Sequence, residues 1–198
     1  MKIAIVGTES TGKTRLVTEI GKYFGVPTIP EFARETAEEM GVSDIRGMTP
    51  QKTLIFQNII LEKKIKEESK YQTFIADRST ADNLAYYLRW CAMDVNDAFN
   101  SAYTRMCINH LKTYDHIILL PWCSIPFEND GFRSPKIYYL YEIHCLILGI
   151  LKDFNIPYTI LEETNLEKRV QYFNRFFIPS GTGPIMQNQR GHRPEKVL

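Results

Sequence analysis

Short apolar runs alternate along the chain with longer stretches of helical periodicity. Lys2–Val6 is a compact β-branched run, and Val26–Ile29, Thr73–Ala76, His116–Leu120 and Tyr158–Leu161 repeat its character. Between them, Leu16, Val17, Ile20 and Phe24 mark one face of a helix over Thr14–Phe24. Further helices are predicted over Glu31–Met40, from Thr49 and Pro50 to Lys70, over Thr80–Cys91, Val95–Thr113 and Pro135–Phe154, and over Leu166–Phe177. Thr49 suits the N-cap of the long helix and Pro50 its first turn, and Asn165 or Thr164 suits the cap of the last one. Gly41–Gly47 and Pro121–Ser134 read as loops, the second carrying an Asp130-Gly131 turn. Nearly all-apolar strands separated by helices predict a parallel sheet covered on both faces, hence a five-stranded, three-layer α/β domain over residues 1–177. Ile178–Leu198 is rich in Gly and Pro, has little that could enter a core, and reads as a basic tail with Arg190, His192, Arg193 and Lys196.

The chain has 198 residues, of which 44% are hydrophobic and 24% charged. That is ordinary for a single globular domain and argues against disorder, collagen or coiled coil along the whole chain. Twenty-four Lys+Arg against 23 Asp+Glu give a net charge of +1, which disfavours nucleic-acid binding by bulk charge but leaves a local basic groove open. Cys91, Cys107, Cys123 and Cys145 form no CxxC pair, stand at no zinc-like spacing, and read as buried small hydrophobes of a reducing compartment. No run has the length of a membrane helix and MKIAIVG does not resemble a signal peptide, so the expectation is a soluble, cytoplasmic protein.

Gly7-Thr8-Glu9-Ser10-Thr11-Gly12-Lys13-Thr14 changes the picture most, because it matches GxxxxGK[ST] between a predicted strand and a predicted helix. Glycines let the loop turn its backbone N–H groups toward an anion, and the helix adds the positive end of its dipole. Lys13 would reach the β- and γ-phosphates, and the Thr14 hydroxyl would ligate Mg²⁺. Asp77-Arg78-Ser79 ends the third strand, where a carboxylate either holds Mg²⁺ or takes the proton of an acceptor hydroxyl, and Arg78 would neutralise a phosphate or orient the acceptor. Glu31 and Arg34 follow the second strand, on the acceptor side of a kinase-type cleft. Arg133, beside Asp130-Gly131-Phe132, suits a lid near residues 124–137 that brings charge to a transferring phosphoryl group. Among the aromatics, Tyr86, Tyr87, Trp90, Tyr138, Tyr139 and Tyr141 read as core or core rim, and Trp122 is the better placed for adenine or lid contact.

GTESTGKT, PEFARE, an acid at the end of the third strand and DGFRS together resemble the P-loop kinase domain of ribosylnicotinamide kinases, within the broader NMP-kinase-like group of AAA type. The Asp77-Arg78 pair is similar to the acid-Arg pair of thymidylate and deoxynucleoside kinases. The resemblance implies a P-loop NTPase fold with sheet order 2-3-1-4-5, and ATP with Mg²⁺. It implies transfer of the γ-phosphoryl group to a hydroxyl by a monomer or homodimer. Lys13, Asp77, Arg78 and Arg133 would be catalytic, and Thr14 and Asp77 would be the metal residues. Glu9, where thymidylate kinases carry an acid that meets the acceptor sugar, would bind the acceptor with Glu31 and Arg34. The acceptor stays open: a ribosylnicotinamide-like nucleoside, a nucleoside monophosphate, or 5-hydroxymethyl-deoxyuridine within DNA, the last a reaction of some phage kinases that would place the protein in a host cytoplasm. The competing readings are a P-loop ATPase or nucleotide switch with no small acceptor, and a nucleic-acid-binding module that uses the tail. A switch would need a base-reading NKxD and a motor a DExx acid pair, and neither is found.

Overall fold

The first strand, β1 (Lys2–Val6), lies at the centre of the sheet because its side chains from Ile3 to Val6 are apolar on both faces. In the computed structural model, which describes residues 1–125 and 137–178, β1 pairs in parallel with β3 (Phe74–Asp77) on one side and β4 (His116–Leu119) on the other. The outer strands are β2 (Thr28–Ile29) beside β3 and β5 (Thr159–Ile160) beside β4, which gives the order β2-β3-β1-β4-β5. The expected kinase-type arrangement is therefore present.

The period-two alternation of the strands builds two cores. Ala4, Val6, Phe74, Ala76, Ile117 and Leu119 face α3 (Pro50–Glu68), α4 (Thr80–Trp90), α5 (Asp97–Leu111) and α6 (Ile137–Asp153). Ile3, Ile5, Ile75 and Ile118 face α1 (Lys13–Phe24) and α7 (Leu166–Tyr172). Each fully buried Ile or Leu contributes about 1.5–3 kcal/mol of apolar transfer energy, so this two-faced burial anchors the strand ends on which the site is built.

Several local expectations hold in atomic detail. The Thr49 side chain accepts from the Lys52 N–H with Pro50 at the start of α3, and the Asn165 side chain accepts from the Lys168 N–H. Others are corrected. The last helix breaks at Phe173, so α7 is followed by a short α8 (Asn174–Phe177). Cys91 and Cys107 are buried as expected, but Cys123 and Cys145 are exposed, because Cys145 falls on the outer side of α6 with Tyr141. Arg133, most of the lid segment and the tail beyond residue 178 lie outside the described residues. Among the described residues no helix is long and apolar enough to cross a membrane.

Candidate active site

The phosphate loop is shaped by residues that few alternatives could replace. Gly7 has φ +140°, and a Cβ there would sit 2.7 Å from the Leu120 carbonyl oxygen, closer than atoms can approach. Gly12, in the left-handed region at φ +82°, starts α1 without a side-chain cap, and the first turn carries no acid. The opening N–H groups and the positive dipole end of α1 are thereby left to an anion. Lys13 is folded back into this loop, its Nζ donating to the Thr8 carbonyl at 2.5 Å, while the Thr11 hydroxyl donates to the same oxygen at 3.0 Å. Ser10 Oγ is buried with no hydrogen-bond partner.

Burial, reinforced by the nearby Arg78 charge, pushes the Lys13 ammonium down to a pKa of about 8. The unfolded chain keeps this proton up to its ordinary 10.5, so the charged lysine costs stability below about pH 8, and that cost disappears as pH rises toward 10.5. An anion seated on this loop would be held by the protonated lysine, and the free protein sheds that proton above pH 8. Nucleotide affinity should therefore fall by up to about tenfold per pH unit above that point, and binding at pH 9 should take up close to one proton. Calorimetry in buffers of different ionisation enthalpy measures this uptake. Lys13→Met should abolish it along with most of the affinity.

The third strand delivers Asp77 beside this loop, since register pairs Ile5 with Asp77. The Thr14 hydroxyl donates to Asp77 Oδ2 at 2.5 Å. Asp77 Oδ1 is buried and has no hydrogen-bond partner. Burial first, and the Glu31 charge second, raise the Asp77 carboxyl above its ordinary value. A hydroxyl and a carboxylate with an unsatisfied oxygen are the hard donors that Mg²⁺ takes beside phosphates, so the pair fits that ion. Asp77 does not cap α4; Ser79 does, in a capping box with Asp82. Asp82 also accepts from the Gly7 N–H at 3.2 Å, tying that turn to the phosphate loop.

Arg78 stands in the left-handed region at φ +69°, costly for a non-glycine residue and repeatedly associated with functional turns. That conformation aims its side chain along the cleft. Nε donates to Glu31 Oε1 at 2.6 Å, Nη1 donates to the Gly7 carbonyl at 3.4 Å, and the guanidinium lies 5.2 Å from the centre of the Tyr86 ring. The Tyr86 hydroxyl donates to Glu9 Oε1 at 3.3 Å, which brings Glu9 and Glu31 to one wall.

That wall belongs to a cavity of about 490 Å³ at the ends of β2 and β3, lined by Glu9, Glu31, Asp77 and Arg78 among others. Trp90 and Tyr139, joined by an indole N–H to hydroxyl bond of 3.3 Å, line it with Tyr86. Tyr87 turns instead into the core, stacked on Tyr103 at 3.9 Å, and Tyr138 and Tyr141 are exposed. Trp122 packs against Tyr141, their ring centres 4.9 Å apart. Arg34 does not line the cavity, because the first turn of α2 (Ala33–Glu39) carries it to the exposed side while Phe32 and Ala33 stay inward.

One group of residues was not among the expected site residues. Gln57 and Lys64 reach the cavity from α3, and Lys64 Nζ donates to the Asp77 carbonyl at 3.3 Å and pairs with Glu68 at 3.0 Å. Glu68 also accepts from the Tyr114 hydroxyl and meets His110. They continue the buried stripe Phe56, Ile60, Leu61 of α3, so charged residues at core positions of a helix were the available signal. Among the described residues no cluster of three or more His, Cys, Asp or Glu side chains forms a metal site.

The same fold occurs in solved kinase structures. Deoxyadenosine kinase from M. mycoides, with products dCMP and dCDP bound, superposes with a TM-score of 0.65 at 18% identity over 88% of this chain and 97% of that one. NadR protein in complex with NR gives 0.68 at 16% identity over 96% of this chain, which spans 54% of NadR. Thymidylate kinase from Ehrlichia chaffeensis gives 0.57 at 13% identity over 88% of this chain and 97% of that one. No curated protein matches the sequence. Residues 2–169, the phosphate loop and the cavity wall of Glu31 and Arg78 included, match the AAA_28 family model, described as an AAA domain, and the chain belongs to that family.

Proposed function

We propose that the protein is an ATP-dependent kinase that transfers the γ-phosphoryl group to a hydroxyl of a nucleoside-like acceptor. The observation that carries this is the adjacency of two half-sites: the Gly7–Thr14 loop with its Thr14–Asp77 pair, and a cavity walled by the Glu31–Arg78 pair. An ATPase or switch without a small acceptor has no use for the second. A deoxyadenosine kinase with dCMP and dCDP bound and the NadR protein in complex with NR, neighbours in fold, support the same reading.

In this mechanism the loop amides and Lys13 hold the phosphates of ATP. Thr14 and Asp77 would hold Mg²⁺, whose charge, when bound, offsets that of the β- and γ-oxygens. Glu31, oriented by Arg78, accepts the proton of the acceptor hydroxyl as that oxygen bonds to the γ-phosphorus, the bond to the bridging oxygen breaks, and ADP leaves. Asp77, bonded to the Thr14 hydroxyl through Oδ2, is assigned to the metal side instead. Arg78 neutralises developing charge, and Arg133 is assigned the same role from the lid. Most of the rate comes from positioning and electrostatics.

The acceptor's charge follows from pairing. Among the described residues, each cation lining the cavity has an acid: Arg78 with Glu31, Lys64 with Glu68, and Arg89 with Glu142 at 2.8 Å. Asp94 adds negative charge. A neutral or cationic nucleoside suits this lining better than a nucleoside monophosphate or a DNA strand. Transfer of labelled γ-phosphate should be screened over nucleosides, nicotinamide riboside, nucleoside monophosphates, and DNA with and without hydroxymethyl-uracil. Labelling of a free nucleoside supports the reading. Rapid hydrolysis that no acceptor accelerates would favour the ATPase instead.

A further inference from the structure

We infer that Arg169 is a positioning residue for the donor nucleotide, holding the phosphate loop and the two neighbouring strand-end loops as one preformed, positively charged receptor. The inference rests on the phosphate-loop reading above and adds a residue that neither the motif nor the acceptor cavity involves.

Arg169 is in the first turn of α7, 158 residues from its main partner, and only 2% exposed. Its Nη1 donates to the Thr11 carbonyl of the phosphate loop at 2.9 Å, Nε donates to the Glu163 carbonyl in the β5–α7 connection, and Nη2 donates to Ser124 Oγ, after β4, at 3.4 Å. Gly12 makes room for this arrangement: a Cβ there would stand 3.3 Å from Nη1 and 3.2 Å from Ile125. One guanidinium thus joins three loops at the carboxyl ends of β1, β4 and β5, the side of the sheet away from the acceptor cavity. Ligands of open α/β sheets bind at those ends. With the acceptor seated over β2 and β3, the nucleoside half of the donor must extend over β4 and β5, across the loops that Arg169 joins.

The second feature is charge. Among the described residues no carboxylate lies within ion-pair distance of Arg169. Glu163 accepts from the Thr164 and Asn165 N–H groups at 2.9 Å and acts on Arg169 only as a through-space charge, which partly offsets the cost of burying the guanidinium. A buried cation bonded only to neutral oxygens is unfavourable until an anion arrives. Residues purely for stability seldom take that form. A polyphosphate on the Gly7–Thr14 loop supplies the missing negative charge, so binding and fold stability are linked through Arg169.

Calorimetric titration of the full chain with ADP and with inorganic pyrophosphate, on wild type, Arg169→Met and Arg169→Lys, decides the matter, with melting curves establishing that each variant is folded. Losing this charge and its loop contacts should weaken ADP about tenfold or more in the Met variant. Pyrophosphate should weaken less, since it does not reach the outer loops, and Lys should rescue pyrophosphate better than ADP. In turnover, KM for ATP should rise while KM for the acceptor stays unchanged, a split that a merely structural role would not produce. ADP affinity within twofold of wild type in a folded Lys or Met variant overturns the inference. Absence of ADP binding in wild type would instead bring down the phosphate-loop reading, and this inference with it.

Discussion

Asp77→Asn is expected to lower kcat by about 10²–10⁴ while leaving the fold intact and nucleotide affinity measured without metal nearly unchanged. The substitution keeps size and shape, and the new amide oxygen can still accept from the Thr14 hydroxyl that now meets Asp77 Oδ2. What it removes is the negative charge next to the unsatisfied Oδ1. Stability should move the other way. Burial raises the Asp77 pKa, so the unfolded chain gives up this proton from pH 3.8 upward while the folded protein still holds it. Stability falls across that window, and the cost persists at neutral pH, where an amide does not incur it. The apo variant should therefore melt at the same temperature as wild type or higher. A variant that keeps near-full turnover, or whose response to Mg²⁺ equals that of wild type, would show that Asp77 is not the metal-side carboxylate.

That trade of stability for function recurs across the site and explains what the sequence could and could not reveal. The phosphate loop was legible because its chemistry is local: glycines, lysine and threonine act within eight consecutive residues. The sheet was legible because buried parallel strands need continuous apolar runs such as Ile3–Val6 and Phe74–Ala76. Glu31 and Arg78 were individually visible at strand ends, but their pairing across 47 positions depends on β2 lying beside β3. Arg34 does not join the cavity lining, because a residue three positions after Glu31 has entered α2 and turned outward. Lys64, Glu68 and Arg169 were missed for the opposite reason. Each is a charged residue in a chain segment that reads as a solvated helix face, yet each takes a core position of its helix, with Leu166, Val170 and Phe173 completing the stripe around Arg169. Polar residues on an apolar stripe are the trace such sites leave in a sequence.

Glu31→Gln is expected to lower kcat by about 10²–10⁴, the usual cost of losing a general base, with little change in affinity for either substrate. The amide retains an oxygen at the position that accepts from Arg78 Nε, so the strained Arg78 turn and the cavity wall keep their geometry. The capacity to take a proton is lost, and with it the negative charge. The variant should keep the wild-type acceptor KM but melt somewhat lower, because Arg78 is left with Asp82 Oδ1 at 3.6 Å as its near counter-charge, and its residual rate should climb with hydroxide concentration where wild type has levelled off. Tyr86→Phe is the matched control: it deletes the hydroxyl that reaches Glu9 but leaves the ring beneath Arg78, and should cost tenfold or less. If Glu31→Gln and Tyr86→Phe lose activity equally, the wall is a binding surface and the proton leaves by another route, with Asp77 and Glu9 the carboxylates that line the cavity at the phosphate loop. If Glu31→Gln alone falls, and falls in kcat, the two carboxylates have separate duties: Asp77 to the metal and Glu31 to the acceptor. Arg78 then binds them into one site, since its backbone follows Asp77 while its side chain holds Glu31.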